Sequence, residues 1–509
     1  MTENTVPLRG VQACVFDAYG TLFDFAAAAR KCRDVLGEDI DRLAALWRDK
    51  QLQYTWLRAA QGRHADFWQF TGDALDFALE TIGLKKPGLR DRLMSLYLTL
   101  DPFPEVPNVL RKLKAAGMYV YRDFIERFTG DARAQTRMRG HGVVGDAQID
   151  WRGLITFKRS FTDEVPRNRE KKFAENGIDA FHGRARFAGP DSVVVEGHEE
   201  LKGRHILIAN GARPVTLDIP GQEHAITSEQ FLELEVLPAR VVLVGGGYIA
   251  AEFSHIAARS GVHVTVLQRA ERMLPGFDPD LVGWLMAKFG ELGIDVRLRS
   301  GVERIDKTAG GFLVHASTNG QKQEVAADLV VHAAGRQPDL EALDLAAGGV
   351  ATDNGRVKLN EFLQSVSNPK VYAAGDAAGI GPALTPVSGH DGVVVASNLL
   401  NGNKHRPDYR GVPSVAFTIP PIAAVGLSEA EARARGLKFR THSEKVPDWY
   451  TALRLNELVY GFKTLVEEDT DRILGAHLVG PHAEEVINLF AVAIRHGLTT
   501  KDLNTMMFA

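Results

Sequence analysis

Cysteine is almost missing from this chain: Cys14 and Cys32 are the only two among 509 residues. So few thiols exclude a disulfide framework and a cysteine-based metal site, and they suit a reducing compartment. A dominant charge is missing as well. Lys and Arg number 60 against 64 Asp and Glu, for a formal net charge of −4, which supplies no basic surface for a nucleic acid. No apolar run is long enough to span a membrane, and the opening MTENTVPLRG lacks the apolar stretch of a secretion signal. The expectation is a cytoplasmic protein with neither membrane nor nucleic acid among its partners. Low-complexity tracts and short-period repeats are also lacking, and the length suggests about three to four domains.

What the sequence does contain is organised around Val241–Arg269, VVLVGGGYIAAEFSHIAARSGVHVTVLQR. An apolar run enters Gly245-Gly246-Gly247, an Ala-rich helical pattern follows, and a β-branched run, His263–Leu267, closes the unit. G-x-G-x-x-A falls on Gly245, Gly247 and Ala250. The first permits a tight turn, the second lets a pyrophosphate approach the backbone, and the third lets helix and sheet pack closely. The helix N-terminus then offers free N–H groups to phosphate. About twenty residues past such glycines an acid usually accepts from the ribose 2′-hydroxyl of NAD. Gln268 and Arg269 stand there instead, with Arg272 a turn later. A guanidinium suits a 2′-phosphate, so NADP(H) is the expected dinucleotide, with NAD the alternative.

Residues 1–118 read differently. Val11–Phe16 is a short apolar strand running into Asp17-Ala18-Tyr19-Gly20-Thr21, and the pattern from Phe25 to Met118 is helical, broken at Pro87-Gly88 and 101–107. VFDAYGTLFD, LAALWRDKQLQYTWLRA and DPFPEVPNVLRKLKAAGM resemble the type II 2-haloacid dehalogenases of the haloacid dehalogenase superfamily. The resemblance implies a hydrolase in which Asp17 is the nucleophile, Thr21 holds the substrate carboxylate and Arg48 stabilises the departing halide. It stops after Gly117-Met118, before the Ser-Asn-Gly stretch, the lysine and the later acid that the family uses. Residues 1–118 are therefore expected to be a truncated α/β segment with a helical cap, unable to turn over.

From about Gly130 a second resemblance runs to the end. IDWRGLITFKRSFTDEVP, GIDAFHGRARF, ILIANGARP, VVHAAGRQPD, VYAAGDAAG and PSVAFTIPPIAAVGLSEAEARARG follow in the order of the glutathione reductase-like flavoproteins, the pyridine nucleotide-disulfide oxidoreductases. The resemblance implies FAD, with Gly375 and Asp376 at its ribityl chain and Thr385 beside the ring. It places Tyr248 over the nicotinamide and Gly335, in VVHAAGRQPD, among the cofactor-binding residues, and it has Glu252 face the flavin, where the family pairs it with a lysine. His477, His482 and His496 lack metal-ligand spacing and read as structural.

Departures accompany the matches. No G-x-G-x-x-G for FAD pyrophosphate precedes Gly130, no C-x4-C pair is present, and the chain ends short of the family's C-terminal segment. The expected fold class is therefore α/β and multi-domain. It comprises Rossmann-like FAD- and NAD(P)-binding domains (119–235, 236–340 and a return segment, 341–405) and an α+β dimerisation domain (406–509). The functional expectation is an impaired FAD/NAD(P)H-dependent oxidoreductase acting on a small-molecule substrate as a homodimer. The alternatives are an (S)-2-haloacid dehalogenase-like hydrolase and an inactive fusion.

Overall fold

The computed structural model describes residues 27–40, 42–47, 50, 67–84, 86–97 and 149–506, which belong to two compact units, Met1–Met118 and Tyr119–Ala509. In the first unit, helices α1 (Phe67–Ile82) and α2 (Leu89–Tyr97) carry apolar residues at helical spacing. Leu75, Ala78, Leu79, Leu93 and Met94 pack with Ala29, Cys32, Leu36, Leu43 and Trp47, so one stripe of each helix is buried. Gly88, at φ +75°, supplies the left-handed residue between them. Trp47 Nε1 donates to Thr71 O across 2.9 Å. Burial pushes the Cys32 thiol up. Asp17, Thr21 and Arg48 lie outside the described residues.

Among the described residues of the second unit the first element is α3 (Trp151–Thr162), whose start is fixed by Asp150 accepting from Gly153 N. Trp151 anchors it by donating Nε1 to Leu234 O at 2.7 Å and meeting Phe231 edge-on. A helix, 165–175, and a three-stranded antiparallel sheet, 185–202, separate it from β1 (Ile206–Ile208). A parallel sheet then forms around β2 (Ala225–Ile226) and β3 (Arg240–Val244), with α4 (Tyr248–Arg259) and β4 (His263–Leu267) continuing the unit. It is completed by α5 (Pro279–Glu291), β5 (Asp295–Arg297) and β6 (Leu329–His332).

The strand order is β2-β6-β3-β4-β5, all parallel. Val241, Val242, Leu243 and Val244 are all buried, as expected for a strand covered on both faces. Between β5 and β6 the chain makes a three-stranded antiparallel meander, 300–327. The apolar pattern of the sequence predicts β6 over Leu329–Ala334; it ends at His332, and Ala333 and Ala334 lie against the Gly245 turn.

Beyond this sheet, β7 (Val371–Ala373) pairs in parallel with β1 alone among the described residues. Helix α6 (Thr385–Asn401) follows. The C-terminal part is antiparallel throughout. Strands β8 (Ser414–Ala416), β9 (Ile422–Gly426), β10 (Phe439–Lys445), β11 (Gly461–Glu467) and β12 (Ile473–Val479) stand in the order β8-β9-β12-β11-β10. Helix α7 (Ala483–His496) buries Ala483, Ile487 and Ala491 against Ala423, Val425 and Ala476 of that sheet. The sequence pattern predicts strands over Gly461–Glu467 and Ile473–Gly480 and a helix over Glu484–His496, each within one residue of the observed ends.

Candidate functional site

The turn between β3 and α4 stands at the C-terminal end of the central strand, where the strand order reverses. Open α/β sheets bind ligands in that crevice. Gly245 takes φ +119°, and its N–H donates to Leu267 O at 2.9 Å. A Cβ at Gly245 would lie 2.3 Å from Ala333 O, and one at Gly246 would lie 2.6 Å from Gln268 Cδ. Gly247, the N-cap of α4, is different: nothing lies within 4 Å of its Cβ position. The outer face of the turn is thus open, and the first amides of a twelve-residue helix lie directly behind it. Ala250 is fully buried, which explains the small residue required where helix meets sheet.

Around this turn the sequence-predicted residues separate. Gln268 is buried and spends Nε2 on Arg272 O at 3.0 Å, so it covers Gly246 and does not reach outward. Arg272 is also occupied, donating to Phe277 O at 3.0 Å and Pro275 O at 2.7 Å. Arg269, just past the end of β4, is exposed. Tyr248 is half-buried, its ring edge-on to Phe277 with centroids 5.3 Å apart. Gly335, at φ +119° with open space at its Cβ position, follows Ala333 and Ala334, which touch Gly245.

A second group forms at the end of β7. Gly375, Asp376 and Ala377 make a 3-10 turn. Gly375 takes φ +62°, and a Cβ there would lie 2.6 Å from Ser388 Cβ on α6. The sequence pattern VYAAGD predicts a strand over Val371–Asp376, and the observed strand stops at Ala373. Gly375 N donates to Asp391 at 3.0 Å, and Tyr409 Oη donates to its other oxygen at 2.9 Å. Burial pushes the Asp391 carboxyl up against the pull of these two donors. Asp376 is half-buried, and Thr385 is exposed at the first position of α6.

Glu252 is fully buried, and Oε1 accepts from Phe417 N at 3.0 Å, which ties it to the segment after β8. His477 is buried with Nε2 on Leu427 O at 3.2 Å, a structural contact. Among the described residues no group of three His, Cys, Asp or Glu side chains could hold a metal ion, and no helix is long and apolar enough to cross a membrane.

Two features escape a reading by motif. Asp391 carries no local signature, since its partners are Gly375 and Tyr409. Gly140, Gly142 and Gly145 also repeat the G-x-G-x-x-G spacing. The residues before them, Thr136-Arg137-Met138-Arg139, are no apolar strand, and this stretch lies outside the described residues.

A central strand, an open glycine turn, a flanking parallel sheet and an antiparallel sheet-and-helix domain together define a pyridine nucleotide-binding oxidoreductase fold. Comparison with known proteins carries this to the family. The description "Pyridine nucleotide-disulphide oxidoreductase" matches residues 126–392, and that of its dimerisation domain matches residues 412–509. The chain belongs to the pyridine nucleotide-disulphide oxidoreductase family.

Among its relatives, a glutathione reductase of Burkholderia cepacia is 35% identical, over 70% of this chain and 78% of its own length. A mercuric reductase of Staphylococcus aureus is also 35% identical, over 67% of this chain, which spans only 63% of that relative. A solved structure, the Cu(II) complex of the HOCl-induced flavoprotein disulfide reductase RclA from Escherichia coli, superposes with a TM-score of 0.67 at 28% identity. It covers 76% of this chain and 86% of the other. The chain lacks the cysteine pair of such disulfide chemistry, having only Cys14 and Cys32. The dehalogenase-like reading of residues 1–118 finds no support in the family matches, which begin at residue 126.

Proposed function

We propose that this protein binds NADP(H) through the β3–α4 turn and serves as an oxidoreductase whose electrons do not pass through a cysteine pair. The observation that carries the reading is the open Cβ position of Gly247 beside the closed ones of Gly245 and Gly246. Two glycines are filled by protein, and the third leaves room for something else. In this reading Gly247 and the α4 amides take the pyrophosphate, Tyr248 covers the nicotinamide, Gly335 lines the crevice and Arg269 meets the 2′-phosphate. The nicotinamide supplies the hydride. The chain's residues bind and orient the dinucleotide.

The specificity test is direct. NADPH is expected to bind roughly tenfold more tightly than NADH, the worth of one charge-assisted hydrogen bond. Arg269→Ala should bring the two affinities together, as measured by calorimetry. Equal affinities in the unaltered protein would remove the basis for assigning Arg269.

FAD fits the described residues at one end only. In this reading Asp376 and Thr385 meet its ribityl chain and ring, but no G-x-G-x-x-G upstream of Gly130 is there to take its pyrophosphate. The purified protein is therefore expected to carry far less than one FAD per chain. Flavin absorbance at one equivalent after gel filtration would contradict this.

We also propose a homodimer through residues 406–509. Val486, Leu489 and Val492 are exposed on one stripe of α7, apolar surface that a second copy would cover. Sedimentation at micromolar concentration should give a dimer, and a monomer there would count against it.

A further inference from the structure

Helix α4 has two engagements. Its N-terminus carries the glycine turn, and its flank carries Glu252, His255 and Arg259 at spacings of three and four, hence on one stripe. All three are buried, at 0%, 0% and 4% exposure. All three are hydrogen-bonded to one short piece of backbone after β8. Glu252 Oε1 accepts from Phe417 N at 3.0 Å. His255 Nδ1 lies 3.3 Å from Ile419 N, and Arg259 donates to Ile419 O at 2.7 Å.

We infer that Glu252, His255 and Arg259 are positioning residues that fasten the nucleotide-binding helix to the backbone of Phe417–Ile419. The aim of the glycine turn is then set by the dimerisation domain as well as by the parallel sheet. The affinity part of this inference rests on the NADP(H) reading above.

The chemistry of His255 makes the arrangement specific. Nδ1 faces two donors, Ile419 N and an Arg259 nitrogen at 3.0 Å, so it must be an unprotonated acceptor and the ring neutral. The charged groups around it enforce this. Burial pushes the ring well below the ordinary histidine range, and Arg259 on its own helix and Lys288 on α5 add to the effect. Lys288 is itself paired with Glu457 at 2.9 Å and with Glu291, and Glu252 stands one turn before. Phe289 packs edge-on to the ring, centroids 4.6 Å apart. A leucine would fill that space, yet it would leave Ile419 N and Arg259 facing carbon. An asparagine would keep an acceptor.

The test uses the full chain with His255→Leu, His255→Asn and Arg259→Leu. His255→Leu and Arg259→Leu are expected to weaken NADP+ binding roughly tenfold, the cost of unpaired buried donors or acceptors, while His255→Asn stays within about threefold of the unaltered protein. Equal affinities for His255→Leu and the unaltered protein would overturn the inference, since bulk alone would then suffice. A second readout needs no nucleotide. Amide hydrogen exchange over residues 245–251 should speed up in His255→Leu and Arg259→Leu, together with exchange at 417–419. Faster exchange at 417–419 with unchanged exchange at 245–251 would also overturn it. If the unaltered protein binds no nucleotide, the functional reading fails and the exchange result alone decides this one. If both leucine variants fail to fold, His255→Asn still must keep its exchange pattern, and losing it would sink the inference.

Discussion

Gly247→Val is expected to reduce NADP(H) affinity at least about a hundredfold while leaving the melting temperature nearly unchanged, because the added carbons occupy only the space the pyrophosphate needs. The native conformation of Gly247, φ −86° and ψ −161°, is open to any residue, and no atom lies within 4 Å of its Cβ position. Gly245→Ala, two positions earlier, is expected to behave in the opposite way. Its φ of +119° strains an L-residue, and its Cβ would lie 2.3 Å from Ala333 O and 2.5 Å from Ala333 C. Backbone on a paired strand end cannot retreat, so a loss of several kcal/mol is expected, on the order of 3 or more. Thermal melts and nucleotide titrations of both variants check the contrast. If Gly247→Val still bound NADPH normally, the open face of the turn would not be the phosphate site.

Lys463→Met is expected to destabilise the protein by about 3–5 kcal/mol, the usual cost of stranding one partner of a buried ion pair. Lys463, on β11, is 5% exposed at its side chain. Its ammonium lies 2.9 Å from Asp278, 2.5 Å from Asp280 and 3.3 Å from Glu429. Asp278 is the partner that matters. It is 2% exposed and also caps α5 by accepting from Asp280 N and Leu281 N. Asp280 is mostly in water, with 61% side-chain exposure, so Asp280→Asn should cost under about 1 kcal/mol. Urea midpoints give both numbers, and a Lys463→Met cost no larger than that of Asp280→Asn would contradict the assignment.

The pH dependence has a definite sign. Burial opposes the charge on Lys463, but its bonds to Asp280 and Asp278 outweigh it and raise the pKa above 10.5. The contribution is therefore complete below about pH 10.5 and disappears only as pH climbs through the raised value.

How much of this was legible in the sequence follows from how local each signal is. The β3–turn–α4–β4 unit was readable because its strands are apolar runs, its helix is Ala-rich and its glycines stand at fixed offsets. The strands and helix after residue 461 were readable for the same reason. The packing of Gln268 over Gly246 left no mark in the sequence, because it depends on how closely the turn approaches the end of β4. Glu252, His255 and Lys463 were not legible, because each acts on a partner more than 160 residues away. Polar residues at spacings of three and four in an otherwise small, apolar helix were the only trace of that contact. Nothing in sequence separates such a stripe from a solvated one.

The polar seam joining α4 and α5 to the antiparallel sheet also bears on interchangeability. Its polar groups are divided between two stretches far apart in sequence: Glu252, His255, Arg259, Asp278 and Lys288 on one side, Glu429, Glu457 and Lys463 on the other. Two buried charge pairs cross the seam, Lys463 with Asp278 and Lys288 with Glu457, each at 2.9 Å. Neither domain can then be exchanged for a foreign counterpart as a self-sufficient module unless the new surface restores the same charges at the same depth. The two segments must change together or not at all.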